Sequence, residues 1–546
     1  MHNQQQLSYL RAEYPELAPI IERIYFDDAS YVHSYVTRFP LAFRAHILAL
    51  YMKQPTRRER NLYIRRLWNE SRSMLPSCID EFDASSVSIR EIAKECANGT
   101  FQIKELVNSA YTYTENSMKN FSYTENEQVA KSLYTKLCSY TERHGIQPPK
   151  PDNTNTLVGC IRRMCDQSWW NRQLRNKIKQ AREALAIRLG VVSKFKSIYA
   201  SKLTVQHRQH EKEISKQYLE STFLRNELGE SVNLLDIANT TVTNPRIRRS
   251  ELMTRMNGFE SSSEDRNHAG LFVTITCPSK FHRVLSRTGK PNPKWAGYTP
   301  KQANKYLNTV WQRIRAQLHR DSIKPYGFRI SEPQHDGTPH WHFMLFMPSE
   351  HIEDFKNIVS HYALAEDGNE KGAAENRCDF KEIDKSKGRA TGYIAKYVSK
   401  NIDGENLDVG SYGEDPRMAA VHVEAWASCW GIRQFQQIGG CSVTPYRELR
   451  RIRTPLPEGS PFEIPRKAAD TGDWKTYNDL VGGLTLPRKD HALKPLYELK
   501  VEEGTGEVKT NYYDGLKEKR LKGVTAKDQK LITRIHQWRV QSIGRA

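Results

Sequence analysis

The stretch PHWHFMLF at residues 339–346 restricts the fold more than any other part of the chain. A short apolar run bounded by turn residues predicts a buried β-strand. Strand side chains alternate between faces, so His340 and His342 project together. Two imidazoles rising from an otherwise apolar strand supply half of a metal site. Asp336 and Gly337 precede that strand and predict a tight turn, with residues 326–331 as the partner strand of a hairpin. Glu332 ends the partner strand and is best placed to add a carboxylate, with Gln334 and His335 as runners-up. Such a mixed set would suit Mg2+ or Mn2+, whereas imidazoles alone would favour zinc or cobalt.

Further along, residues 393–397 read YIAKY. Helical spacing places Tyr393 and Tyr397 on one face, roughly 6 Å apart along the axis. Lys396 and Lys400 add positive charge on or beside that face. Neither half is diagnostic alone, because the 546 residues include 17 histidines and 26 tyrosines. An H-x-H should arise by chance roughly once in two such chains, and a Y-x-x-x-Y about once in each. Tyr31 and Tyr35 form such a pair with no histidine pair before it. The order, the spacing and the flanking Glu332, glycines and lysines carry the signal.

Together these groups fit phosphodiester transesterification. A phenol with a pKa of about 10 is a weak nucleophile at neutral pH. The phosphate it must attack is itself anionic. A divalent cation polarises a nonbridging oxygen and orients the phosphate. Ordinary packing competes with this reading: two half-buried histidines satisfied by backbone, and an apolar stripe of Tyr393, Ile394, Tyr397 and Val398.

A net charge of +20 favours a polyanionic partner, most simply nucleic acid. The nine cysteines contain no C-x-x-C pair, and Cys160 and Cys165, the closest two, fit no zinc pattern. They predict reduced thiols and a cytosolic site. Residues 1–6 do not read as a signal peptide, and no apolar run approaches bilayer length.

Residues 1–147 read as a helical region, with Leu17, Ile20, Ile21 and Ile24 at helical spacing, and a proline-rich linker follows at 148–153. A second helical, basic region covers 155–260 and is a candidate for DNA binding. Within it, Trp169 and Trp170 read better as core anchors than as base-stacking platforms. Residues 265–445 then give strand, helix, hairpin, helix and helix. That is the order of an α+β domain with a central antiparallel sheet flanked by helices. After Tyr446 the chain reads as basic and irregular, with Arg447, Arg450, Arg451 and Arg453 clustered. Residues 446–546 are expected to be flexible or partner-binding.

The block EPQHDGTPHWH at residues 332–342 resembles the metal motif of the HUH endonucleases. It is most similar to the replication gene A proteins of temperate tailed bacteriophages. FVTITCP at 272–278 resembles the first rolling-circle initiator motif, and TGYIAKYVSKNID at 391–403 resembles the two-tyrosine motif. WGIRQFQQIGG at 430–440 and NPRIRRSELM at 244–253 are also similar to segments of this family. Gln334 departs from the pattern, where histidine is more usual. The resemblance runs over roughly residues 155 to 450.

It implies an HUH nickase domain with Mg2+ or Mn2+ on His340, His342 and Glu332. Its nucleophiles would be Tyr393 and Tyr397, with Lys396 beside them. It implies a rolling-circle initiator acting on phage origin DNA that is single-stranded at the cleavage site. The 5′ phosphate would be kept as a tyrosine ester, the 3′ hydroxyl left for the host polymerase, and the displaced strand later rejoined. No G-x-x-x-x-G-K-[ST] loop is present, so a host helicase would supply unwinding, in the cytoplasm of the bacterial host. An HUH transposase or relaxase, and a non-catalytic basic DNA-binding protein, are the alternatives.

Overall fold

The computed structural model describes residues 2–13, 24, 28–114, 126–384, 386, 388–405, 407–410, 412–502 and 504–541. Leu17, Ile20 and Ile21 lie outside them. The chain divides into two compact units, Met1–Leu189 with Leu499–Glu518, and Gly190–Glu498 with Lys519–Ala546.

The first unit is mainly helical. Trp169 and Trp170 are buried in it, and the Trp170 indole donates to the Met164 carbonyl at 2.8 Å, so both are core anchors. The proline-rich segment 148–153 joins helices Glu127–Arg143 and Leu157–Met164 inside this unit, rather than separating two domains. The Tyr134 hydroxyl donates to the Pro149 carbonyl at 2.9 Å and ties the segment down. Residues 499–518 return here because Asp514 accepts from the Thr156 amide and pairs with Arg163.

The second unit is built on a five-stranded antiparallel sheet. Its strands are β1 (Ala269–Ile275), β2 (Tyr326–Pro333), β3 (Pro339–Met347), β4 (Cys378–Glu382) and β5 (Phe435–Ile438), in the order β4-β1-β3-β2-β5. Five helices matter to the site: α1 (Pro245–Asp265), α2 (Pro300–Arg320), α3 (Ile352–Leu364), α4 (Ala390–Ile402) and α5 (Pro416–Trp430). The period of two sorts the strand residues cleanly. Val273, Trp341, Phe343 and Leu345 turn to one face and bury against Leu307, Val310 and Ile314 of α2 and Phe355 and Val359 of α3. Phe272, Phe328, Ile330, Met344 and Phe346 turn to the other, against Leu252, Met256 and Phe259 of α1 and Ile394 and Val398 of α4. Even numbering on β3 therefore puts His340 and His342 on the face that α1 and α4 cover.

Within this sheet, the two strands that sequence reading missed are β4 and β5. Each carries few apolar residues (CDFKE and FQQI) and lies at an edge of the sheet, where one flank lacks a partner and alternation is weak. Helix α2 occupies the expected residues, with Pro300 in its first turn and a capping box between Thr299 and Gln302. The β2–β3 connection is longer than the tight turn expected, since Pro333 pairs with Pro339 and leaves residues 334–338 as the loop. The buried Asp336 carboxylate organises it, accepting from the Thr338 amide at 3.0 Å and the Arg283 amide at 3.1 Å, with His282 Nδ1 at 3.2 Å. Gly337 adopts φ +82°, a conformation that favours glycine, and a Cβ there would crowd the Tyr199 carbonyl oxygen at 3.1 Å.

The segment after Tyr446 is not irregular. Helices Val443–Leu449, Glu463–Thr471 and Trp474–Val481 and strand Lys519–Ala526 enclose Tyr446, Phe462, Trp474, Tyr477 and Val524. Its aromatic anchors are scattered among prolines and arginines, which hides their periodicity. Arg447 makes two bonds to the Glu251 carboxylate of α1, at 2.8 and 2.7 Å. All nine cysteines are free thiols. No helix among the described residues is long and apolar enough to cross a membrane.

Candidate active site

The β2–β3 register sets Glu332 opposite His340 and Ile330 opposite His342. Because Glu332 shares the face of the two histidines, the three side chains converge. His340 Nε2 and His342 Nε2 lie 2.8 Å apart. Glu332 Oε2 is 4.0 Å from the first and 3.7 Å from the second. One donor atom from each lies within 4.8 Å of the others, so this buried group could hold a metal ion. Thr274 sits across β1 from His342, and its hydroxyl is 3.0 Å from His342 Nδ1. That contact fixes the ring with Nε2 turned towards the cluster.

Electrostatics favour the ligand-competent forms of Glu332 and His340. Burial pushes the Glu332 carboxyl up, but the Lys400 ammonium and the two imidazoles outweigh it and hold it well below the usual carboxylate range. Burial, reinforced by His342, pushes His340 well below the usual imidazole range. A charged carboxylate beside a neutral imidazole is what a divalent cation requires. His340 Nδ1 is buried and makes no hydrogen bond among the described residues.

Lys400 and Asn401, at the end of α4, complete the surroundings of Glu332. Lys400 Nζ lies 3.2 Å from Glu332 Oε2. Asn401 Nδ2 donates to Glu332 Oε1 and, at 2.7 Å, to the Tyr397 carbonyl. The Gln434 amide donates to Asn401 in turn, at 3.2 Å to its carbonyl and 3.3 Å to Oδ1. Lys400 is thus a buried counter-ion of Glu332, not an added charge on the tyrosine face.

Tyr397 lies with its ring centroid 4.3 Å from that of His342 and 5.2 Å from that of Phe272. Burial, together with the Glu332 and Asp379 carboxylates, pushes its phenol up to about 12. Lys396 is exposed, and its ammonium stands 5.0 Å from the Tyr397 ring centroid. Tyr393, one turn earlier, is half-buried against the apolar cluster of this face and makes no ring contact with either histidine among the described residues. His335 is not part of the metal group, and Gln334 directly precedes it in the chain. They lie past the end of β2, in the connecting loop, where strand alternation no longer aims side chains at the histidines.

Helix α4 has no capping side chain of its own at Arg389. Glu260 of α1 does that work from outside, accepting from the Ala390 amide at 2.5 Å, the Thr391 amide at 3.1 Å and the Thr391 hydroxyl. At the opposite end of α4, Arg249 pairs with Asp403 at 3.3 Å and with Glu405, and Arg246 pairs with Glu405 at 3.1 Å. Helix α1 therefore runs antiparallel to α4 and grips both its ends.

Residues 90–405 match the model of the bacteriophage replication gene A protein (GPA) family. The chain belongs to that family. It is 37% identical over 429 residues to the replication gene A protein of Escherichia phage 186, covering 75% of this chain and 61% of that protein. Identity is 41% over 354 residues to the replication protein of Haemophilus phage HP1, covering 64% of this chain and 45% of the relative. A probable replication endonuclease from a prophage-like region of Salmonella paratyphi A is 36% identical over 370 residues, covering 65% and 46% respectively. The chain thus spans between 45% and 61% of the length of these relatives. No solved structure matches it.

Sequence reading of this gene A family chain missed Thr274, Asn401, Gln434 and Glu260. Thr274 lies inside FVTITCP and Gln434 inside WGIRQFQQIGG, both singled out as motif blocks. A polar residue on the histidine face of the neighbouring strand would have flagged Thr274. No local signal points to Glu260, whose partners are 130 residues away.

Proposed function

We propose that this chain is an HUH-type rolling-circle initiator that nicks one strand at a phage origin and later rejoins the displaced strand. The observation that carries this is the ring contact between Tyr397 and His342, beside the buried Glu332–His340–His342 group. A phenol next to a cation-binding cluster is the pairing that tyrosine transesterification needs. The names of its relatives, which include replication proteins and replication endonucleases, point the same way.

Glu332, His340 and His342 would hold the Mg2+ or Mn2+, and the bound cation would supply the charge that polarises a nonbridging phosphate oxygen. Thr274 keeps His342 oriented, and Lys400 with Asn401 keeps Glu332 ionised and in place. The Tyr397 phenol loses its proton as its oxygen bonds to phosphorus. The bond from phosphorus to the 3′ oxygen breaks, and that oxygen takes up a proton. Lys396 offsets the charge of the phenolate, whose formation burial opposes. The products are a 5′-phosphotyrosine and a free 3′ hydroxyl for the host polymerase. Tyr393, on the same helix, attacks the regenerated junction in a second round. One phosphodiester bond is exchanged for another, so rejoining needs no ATP. A host helicase unwinds the duplex, in the cytoplasm of the bacterial host.

Supercoiled origin DNA incubated with the protein and Mn2+ or Mg2+ should give nicked circles bearing a protease-sensitive adduct. Absence of the adduct under both metals would favour a DNA-binding protein without catalysis. Changing both Tyr393→Phe and Tyr397→Phe should abolish it, and mass spectrometry of the adducted peptide should identify one of these two residues.

A further inference from the structure

Beside the site lies an open cavity of about 370 Å3 that the proposed reaction leaves unused. Its lining includes Thr276, Leu285, Asn292, Gln334, His335 and Arg377. We propose that this cavity receives one unpaired nucleotide of the cleaved strand, the one adjoining the scissile phosphate. This rests on the nicking reaction proposed above.

Position is the first argument. Thr274 bonds His342, and Thr276 follows two residues later, so it stands on the same face of the sheet. The Thr276 amide donates to the Arg377 carbonyl at 2.9 Å, which continues the alignment of β1 with the segment leading into β4. The cavity therefore begins one strand step, roughly 7 Å, along from Thr274. From the other side it is bounded by Gln334 and His335, which directly follow β2 and Glu332. A strand whose phosphate lies at the histidines brings its next nucleotide over this opening.

The chemistry of the walls is the second. His335 is 1% exposed, yet its Nδ1 makes no hydrogen bond among the described residues. A buried polar atom without a partner is costly, and its persistence points to a ligand that supplies one. The Gln334 side-chain amide lines the same cavity and carries both a donor and an acceptor. Leu285, 41% exposed, offers an apolar surface that a base can cover. Unstacked bases are recognised by this mixture of apolar contact and hydrogen bonds to a base edge. The volume falls in the range of small-ligand pockets, about 300 to 1,000 Å3, near its lower end, as a single nucleotide requires.

The cavity is also preformed. The Asn292 amide donates to the Ser279 carbonyl at 2.8 Å and the His282 carbonyl at 2.9 Å, which closes the 279–292 loop on itself. Asp336 bonds the Arg283 amide and holds that loop to the β2–β3 connection. The Arg377 guanidinium, itself buried, donates to the carbonyls of Ala363 and Glu366 at 3.2 and 2.8 Å. Walls fixed in advance lower the ordering cost of binding.

The test is photocrosslinking. Short single-stranded oligonucleotides of mixed sequence, each carrying one 4-thiothymidine, are irradiated with the full-length chain in EDTA, and crosslinked peptides are mapped by mass spectrometry. Crosslinks are expected on the peptides bearing residues 279–286 and 334–335. Leu285→Trp, which fills the opening from an exposed loop position, should cut those crosslinks about tenfold while leaving others in place, and Gln334→Ala should weaken them less. Crosslinks confined to other parts of the protein, or unchanged in Leu285→Trp, would overturn the proposal. Without metal no strand is cut, so this outcome is independent of the adduct assay for nicking.

Discussion

Asn401 illustrates how much of the site rests on residues that never face the substrate. One amide group joins the Glu332 carboxylate to the backbone of the tyrosine helix. Removing it takes the donor from Glu332 Oε1 and leaves Lys400 and the two imidazoles, all of which lie beside Oε2. Asn401→Ala should weaken Mn2+ binding about tenfold to a hundredfold, the usual cost of losing such an outer partner, measured by electron paramagnetic resonance titration. His340→Ala should abolish adduct formation while leaving affinity for single-stranded DNA within about twofold, because phosphate contacts dominate that affinity. A filter-binding assay run beside the adduct assay separates the two effects. At this scale the sequence was informative where strand alternation applied: Glu332, His340 and His342 are all placed by counting in twos along a hairpin. It was silent where a residue acts across the fold. Lys400 looked like a surface charge because its three-dimensional partner, Glu332, is 68 positions away.

Among the elements, α4 depends on a cap borrowed from α1. Three bonds to Glu260 satisfy the first turn, where amides otherwise lack partners. Glu260→Ala should destabilise that turn by about 1 to 2 kcal/mol. Hydrogen exchange should show it as faster exchange at residues 390–393, with protection in β1 and β3 unchanged. Equal loss of protection throughout the sheet would mean that α4 does not open separately. Elements with strong internal patterns, such as α2 and β3, were readable with little error. The edge strands β4 and β5 were not, because a strand with few apolar residues is defined by what it pairs with. The helices after Tyr446 escaped notice for a related reason: their core is aromatic and dispersed, and the arginines between them suggested a solvated tail.

For the whole molecule, the balance of 83 basic against 63 acidic residues would set the long-range attraction to the proposed DNA substrate. Affinity for non-specific single strands should fall linearly on a log–log plot against salt concentration. Acid stability reports a different balance. Burial pushes the Asp336 carboxyl up, but His282 and the surrounding hydrogen bonds pull it down further, to about 2 against an ordinary value of 3.8. The charged form therefore stabilises the fold at neutral pH, and that contribution, on the order of 2 kcal/mol, is lost as the pH falls towards 2. Asp336→Asn should flatten the pH dependence of unfolding between about pH 4 and pH 2 relative to the parent chain, followed by circular dichroism. The family was legible from motif order alone. The return of residues 499–518 to the first unit was not, since no local pattern announces that Asp514 will meet Arg163. The clamp that α1 places on both ends of α4 has a kinetic meaning. A helix pinned at each terminus cannot carry its hydroxyls from one strand end to another, so in a two-tyrosine exchange it is the nucleic acid that must travel, sliding past a stationary pair of acceptors.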